Sequence, residues 1–154
     1  MKTTEVEQYL REHWYATRSI GRLLFDLDAA KAAYQDAQSY VASSAPRDAS
    51  GVKTRRRQSP VELSAIIASE QHRAQMMSIA ERLEGERQCL RRIEKTVADA
   101  QLDARESAYV RLRYYENNTV QAVAQRMYCS AATCGRIRGR VVKKVGRVIG
   151  AEED

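Results

Sequence analysis

Apolar side chains recur along the first forty residues at alternating steps of four and three. Val6, Leu10, His13, Thr17, Ile20, Leu24, Leu27, Lys31 and Tyr34 fall on one seam, mostly apolar from Leu10 to Leu27, and Tyr9, Trp14 and Leu23 widen it. That spacing is the heptad rhythm of a helix packed lengthwise on another helix. It predicts one amphipathic helix over about residues 4–41, with Thr4 and Glu7 spaced as a capping box at its start. A second run, Leu63, Ile66, Met76, Ile79, Leu83, Leu90, Ile93 and Val97, keeps the same rhythm and is interrupted at Gln71, His72 and Arg73. It predicts a helix over about 60–100 that opens near Ser59 or Pro60, because proline is tolerated in a first helical turn.

Between the two runs lies Ser43–Pro60, which holds both prolines of the chain, a glycine and several serines, with no apolar period. Such a stretch buries too little surface to offset its chain entropy and reads as a polar linker over 43–59. Lys53, Arg55, Arg56 and Arg57 make its centre cationic. A solvated loop and an arm that touches nucleic-acid phosphates are both open readings of that cluster. Two helices joined this way predict an antiparallel hairpin or a dimeric coiled coil over residues 1–100.

The pattern changes after residue 102. Asp103 is placed to cap a helix carrying Tyr109, Val110, Leu112, Arg113 and Tyr114, and Asn117-Asn118 signals a turn. Thr119 then caps a short helix, Val120 to Met127, and Ser130 caps a longer one, Ala131 to about Ile149. Two helices that cross closely need apolar side chains on their facing sides and a small residue where the backbones approach. Val123, Met127, Cys129, Cys134 and Ile137 fill the apolar slots, and Ala124 fills the small one. Tyr128 stands where a glycine would ease a positive φ in the turn. The expected fold is therefore all-α, a long helical hairpin or coiled coil followed by a helix-turn-helix over 103–150.

Charge sharpens this picture. The chain carries a net charge of +6, and residues 103–150 alone hold ten Lys and Arg against three Asp and Glu. A basic module suggests a polyanionic ligand, because cations that neutralise phosphates release condensed counterions. The basic helix lacks the Trp, Phe and Leu face of an interfacial membrane helix, and no apolar run approaches the roughly 18 residues of a membrane span. Duplex DNA is the expected partner, and a membrane is not. Ser130, Ala131, Ala132, Gly135, Arg136 and Gly139 form the expected base-reading flank, with Arg136 suited to a guanine edge. Thr119, Thr133, Arg138, Arg140, Lys143, Lys144 and Arg147 are the expected phosphate contacts.

Other chemistries find little support. Cys89, Cys129 and Cys134 have no metal-ligand spacing, so neither a metal nor another cofactor is expected. An odd number of thiols without a framework suits a reducing cytoplasm, and Met1 to Leu10 is too polar for a signal peptide. His13 and His72 have no evident partners for catalysis, and His13 falls on the apolar seam. Cys129 and Cys134 fill apolar slots and are expected to be inert unless exposed. No catalytic residue is expected.

The segment LRYYENNTVQAVAQRMYCSAATCGRIRGRVVKKV resembles region four of bacterial sigma factors. It is similar in particular to the RinA/ArpU-type late-gene regulators of phages, in which a long helical part precedes a sigma-like helix-turn-helix. The resemblance rests on Leu112-Arg113-Tyr114-Tyr115-Glu116, Val123-Ala124, Arg126-Met127, Ser130 with Thr133, Arg136-Ile137, Gly139-Arg140 and Lys143-Lys144, about a third of the chain. Cys134 and Tyr128 depart from the Val and Gly more usual there. The resemblance implies promoter binding and activation of late phage genes in the bacterial cytoplasm, at the nucleoid. Bacterial RNA polymerase or a second copy of the chain would then be contacted through the helical hairpin. Two rivals stay open: a small terminase-like DNA-packaging protein, and a protein–protein adaptor whose basic helix serves acidic partners.

Overall fold

The structure, a computed structural model, describes residues 2–44 and 59–152. The basic cluster Lys53–Arg57 lies outside the described residues. The fold is all-α: α1 (Thr3–Ser44), α2 (Pro60–Asp99), α3 (Ala104–Val110) continued by a π-helical turn (Arg111–Tyr115), α4 (Val120–Arg126) and α5 (Ala131–Glu152). Among the described residues no helix is long and apolar enough to cross a membrane.

Local chemistry sets the helix starts. Ser59 and Glu62 cap α2 reciprocally, each backbone amide donating to the other's side chain at 3.1 Å. At α1 the expected Thr4/Glu7 box is not formed. The helix begins at Thr3, and the Lys2 amide donates to Glu5 at 2.8 Å. Glu7 instead accepts from Tyr114 and Arg138, and charge-assisted partners outcompete a backbone amide.

The chain divides into two compact units, one formed by Met1–Ile20 with Gly85–Asp154, the other by Gly21–Glu84. This differs from the division into residues 1–100 and 103–150 that the change of pattern after residue 102 suggests. The reason lies in the first unit's core. Val6 and Leu10 of α1 and Ile93 of α2 share one buried cluster with Tyr109, Val110, Leu112, Tyr114, Val123, Cys134, Ile137, Val141 and Val145. The first turns of α1 are therefore built into the C-terminal helices. Within this unit α1 and α2 run antiparallel, tied by Tyr9–Thr96 at 2.9 Å, Ser19–Glu86 at 3.0 Å and His13–Glu94 at 3.2 Å. His13, expected on the apolar seam, stacks on the Tyr115 ring with centroids 3.6 Å apart.

In the second unit α1 and α2 are again antiparallel. Asp26, Ala29, Ala30 and Ala33 face His72, Gln75, Ser78, Ile79 and Arg82 across a shallow groove. His72 thus continues the α2 seam where the sequence showed an interruption. Leu23, Ala30, Ile79 and Leu83 are this unit's four buried apolar residues among those described, and Phe25, Ile67 and Met77 are exposed.

Along α1 the seam differs by one residue at alternate steps. Ala16, Leu23 and Ala30 are buried, whereas Thr17, Leu24 and Lys31 are exposed. This phase keeps the period of the heptad but puts two alanines inside in place of a threonine and a lysine, so no polar head is dehydrated.

Candidate nucleic-acid interface

Three helix ends position the C-terminal helices. Asp103 and Glu106 form a capping box at α3: the Glu106 amide donates to Asp103 at 2.8 Å, and the Asp103 amide donates to Glu106 at 3.1 Å. Thr119 caps α4, its hydroxyl accepting from the Ala122 amide at 3.2 Å. Ser130 caps α5, its hydroxyl accepting from the Thr133 amide at 3.1 Å. The π-helical turn that ends the α3 rod inserts extra backbone, with the Glu116 amide reaching the Arg111 carbonyl at 2.9 Å. Such a turn re-aims the side chains it carries. Here Leu112 and Tyr114 are buried, and Tyr115 lies against His13.

The link between α4 and α5 is a Schellman turn. The Cys129 amide donates to the Ala124 carbonyl at 3.0 Å, and the Tyr128 amide donates to the Gln125 carbonyl at 3.2 Å. Tyr128 takes the left-handed position, with φ of 53°, where glycine is usual. Its ring is 96% exposed, so packing does not hold it there.

Every third or fourth residue of α5 faces inward. Cys134, Ile137, Val141, Val145 and Ile149 are buried, and Val123 and Ala124 of α4 belong to the same core. The small and apolar slots read from the sequence are therefore the packed ones, with Met127 and Cys129 partly buried. On the opposite side Ala132, Gly135, Arg136 and Gly139 are exposed, as are Ser130 and Ala131 at the start of the helix. A Cβ placed on Gly135 or Gly139 would meet nothing within 4 Å, so the fold itself does not require glycine there.

The expected phosphate contacts separate into two groups. Lys143 and Arg147 lie with Arg136 on the exposed side of α5, and none of the three has an ion pair among the described residues. Arg138, Arg140 and Lys144, although partly exposed, are each paired with a carboxylate of the protein. Arg138 grips Glu7 with two nitrogens at 2.6 and 2.9 Å. Tyr114 donates to the same carboxylate at 2.9 Å. Lys144 donates to Glu106 at 2.7 Å, and Arg140 stands 3.6 Å from it. Glu106 is only 1% exposed. Thr119 and Thr133 are also engaged locally, Thr119 as a cap and Thr133 through the Ser130 hydroxyl at 2.9 Å. These cations thus serve the fold, by tying α1 and α3 to the flanks of α5.

The electrostatics follow the geometry. The Arg138 guanidinium, more than any other group, holds the Glu7 carboxyl below the usual carboxylate range, against the opposing pull of burial. Burial pushes the Tyr115 hydroxyl up to about 12 and the Cys134 thiol to about 11. Beside α5, a groove of about 460 Å³ runs between Thr3 and Val6 of α1 and the Gly135, Gly139, Val142 and Gly146 side of the helix.

Sequence reasoning missed Glu7, Tyr114 and Glu106 as the residues that fix α5. For Glu106 the Asp-x-x-Glu spacing from Asp103 was a usable signal. For Glu7 and Tyr114 no local pattern exists. No protein-family model matches this chain, and no curated protein or solved structure matches it.

Proposed function

We propose that the protein is a sequence-specific DNA-binding regulator of transcription that lays α5 in the major groove, with α4 braced behind it as a helix-turn-helix. One observation carries this reading: the outward side of α5 combines small residues that the fold does not need with cations that have no internal partner. Gly135 and Gly139 leave the helix surface bare, so a duplex can approach closely. Arg136 stands on that bare surface with a free fork, suited to the O6 and N7 of guanine. Lys143 and Arg147 continue the stripe where a phosphate backbone would pass. An adaptor for acidic proteins needs the cations but not the bare surface between them.

Promoter binding, activation of late phage genes, contact with bacterial RNA polymerase and self-association all extend this proposal. They rest on the resemblance to sigma region four and to the phage late regulators.

Selection of bound duplexes from a random pool tests the reading. The expected outcome is enrichment of one motif. Arg136→Ala then costs about 1–3 kcal/mol on that motif and relaxes preference at one base pair. Lys143→Ala weakens binding to all sequences alike and lowers the salt slope by about one. Because Arg138 already holds Glu7, Arg138→Ala lowers stability more than the salt slope. Failure to enrich any motif, with equal losses for Arg136→Ala and Lys143→Ala on every duplex, overturns base reading. Assembly into closed rings of many copies would favour the packaging rival.

A further inference from the structure

The linker between α4 and α5 carries chemistry that DNA reading does not use. Cys129 and Cys134 place their sulfurs 3.4 Å apart, and both thiols are free. Cys134 is anchored: it sits fully buried on the inner face of α5. Cys129 is partly exposed and lies between Tyr128, with its left-handed backbone, and the cap Ser130. One sulfur is therefore fixed in the core, and its neighbour stands at an opening.

We propose that Cys129 and Cys134 form a redox-responsive dithiol that closes to an intramolecular disulfide, and that closure weakens the hold of α5 on DNA. The second half rests on the DNA-binding reading above, whereas the first does not.

The chemistry balances with a small-molecule disulfide of the glutathione type as oxidant. The Cys129 thiolate attacks one sulfur of that oxidant, and one glutathione thiolate leaves. The Cys134 sulfur then gives up its proton and attacks the Cys129 sulfur of the mixed disulfide, and the second glutathione thiolate leaves. Two protein thiols become one disulfide, one glutathione disulfide becomes two thiols, and the cysteine protons end on the glutathione sulfurs. The exposures set the order, since only Cys129 is open to an oxidant. Burial, which pushes the Cys134 thiol to about 11, slows the second attack, and contact between the two sulfurs offsets that by proximity.

A disulfide needs its sulfurs about 2.05 Å apart, so they must approach by about 1.4 Å. Cys134 is held by its helix and by the core, so the turn moves. That turn carries Ser130, whose hydroxyl caps α5, and the exposed Ala131 and Ala132 follow directly. Closure thus displaces the end of α5 that carries part of the proposed base-reading side.

The experiment uses the full chain. Trypsin cuts after Arg126 and Arg136, so the peptide Met127–Arg136 holds both cysteines and excludes Cys89. After treatment with oxidised glutathione, the expected result is that this peptide loses two hydrogens in mass, resists alkylation and is restored by dithiothreitol. The affinity of the oxidised chain for the selected duplex falls severalfold and recovers on reduction. A Cys129→Ser variant shows neither change. A Met127–Arg136 peptide that stays fully alkylatable, while Cys89 in the same sample takes up glutathione, overturns the dithiol. A disulfide that forms without any change in affinity overturns its coupling to DNA. If the reduced chain binds no duplex at all, the DNA reading fails, and the peptide mass still decides the thiol chemistry.

Discussion

Two glutamates do more to shape this protein than its hydrophobic pattern reveals. Glu106 is almost fully buried, and it satisfies the start of α3, Lys144 and, at longer range, Arg140. Replacing it with alanine removes a charge-assisted bond and half of a capping box together. Glu106→Ala is expected to cost about 1.5–3 kcal/mol in urea unfolding. Glu7 gives a pH dependence with a definite sign. Its carboxyl is held below the unfolded value of 4.5, chiefly by Arg138. The stability it contributes is therefore complete above that value and is lost as pH falls through the lower, folded one. Unfolding measured from neutral to acid pH should show this loss, and Glu7→Gln should flatten that part of the curve while lowering stability at neutral pH. Legibility differed between the two residues. Asp103 and Glu106 sit three apart, a distance at which helix chemistry is written locally. Glu7 meets Arg138 across 131 residues of chain, a pairing that only the assembled core defines.

At the scale of elements, the ends of helices were more legible than their faces. Thr119, Ser130 and Asp103 each act where a capping side chain was expected, because a cap is decided within one turn, and only the Thr4/Glu7 box gave way to longer-range partners of Glu7. The left-handed backbone at Tyr128 follows from the geometry of the turn, whatever residue sits there. Tyr128→Gly should stabilise the protein. Relief of the left-handed position is worth about 1–2 kcal/mol, and the added freedom of glycine in the unfolded chain removes about 0.5–1 kcal/mol. With the ring exposed, no packing is lost, and thermal unfolding should report the small net gain. The face of α1 was harder to read. A three-four rhythm with Leu23 and Leu24 adjacent fits two phases equally well. The choice falls to Ala16 and Ala30, residues too small to stand out as core in a sequence. The π-helical turn was not legible either, since its five-residue hydrogen bond leaves no compositional mark.

For the molecule as a whole, the all-α class was readable from composition and period, but the compact units were not. Pattern analysis divides a chain where its rhythm breaks, near residue 102, whereas burial groups Val6, Leu10 and Ile93 with the C-terminal helices. Ile93 is fully buried there, and Ile93→Ala should cost about 2–5 kcal/mol. The unit Gly21–Glu84 has four buried apolar residues among those described, so little burial protects its backbone hydrogen bonds. Amides of α2 before Glu84 should therefore exchange with deuterium earlier than those of the same helix around Ile93. Uniform exchange along α2 would contradict that gradient.

The interlocking of Glu7 and Val6 with α5 has a practical corollary. Trimming the gene to residues 101–154, the C-terminal helices alone, would strip away the plug that seals their interior. Such a fragment should be recovered aggregated or molten, whereas a version that fuses residues 2–20 and 85–99 back onto it should be obtained folded. A bulky group introduced at Thr3 would crowd the groove that this residue lines beside Gly135 and Gly139.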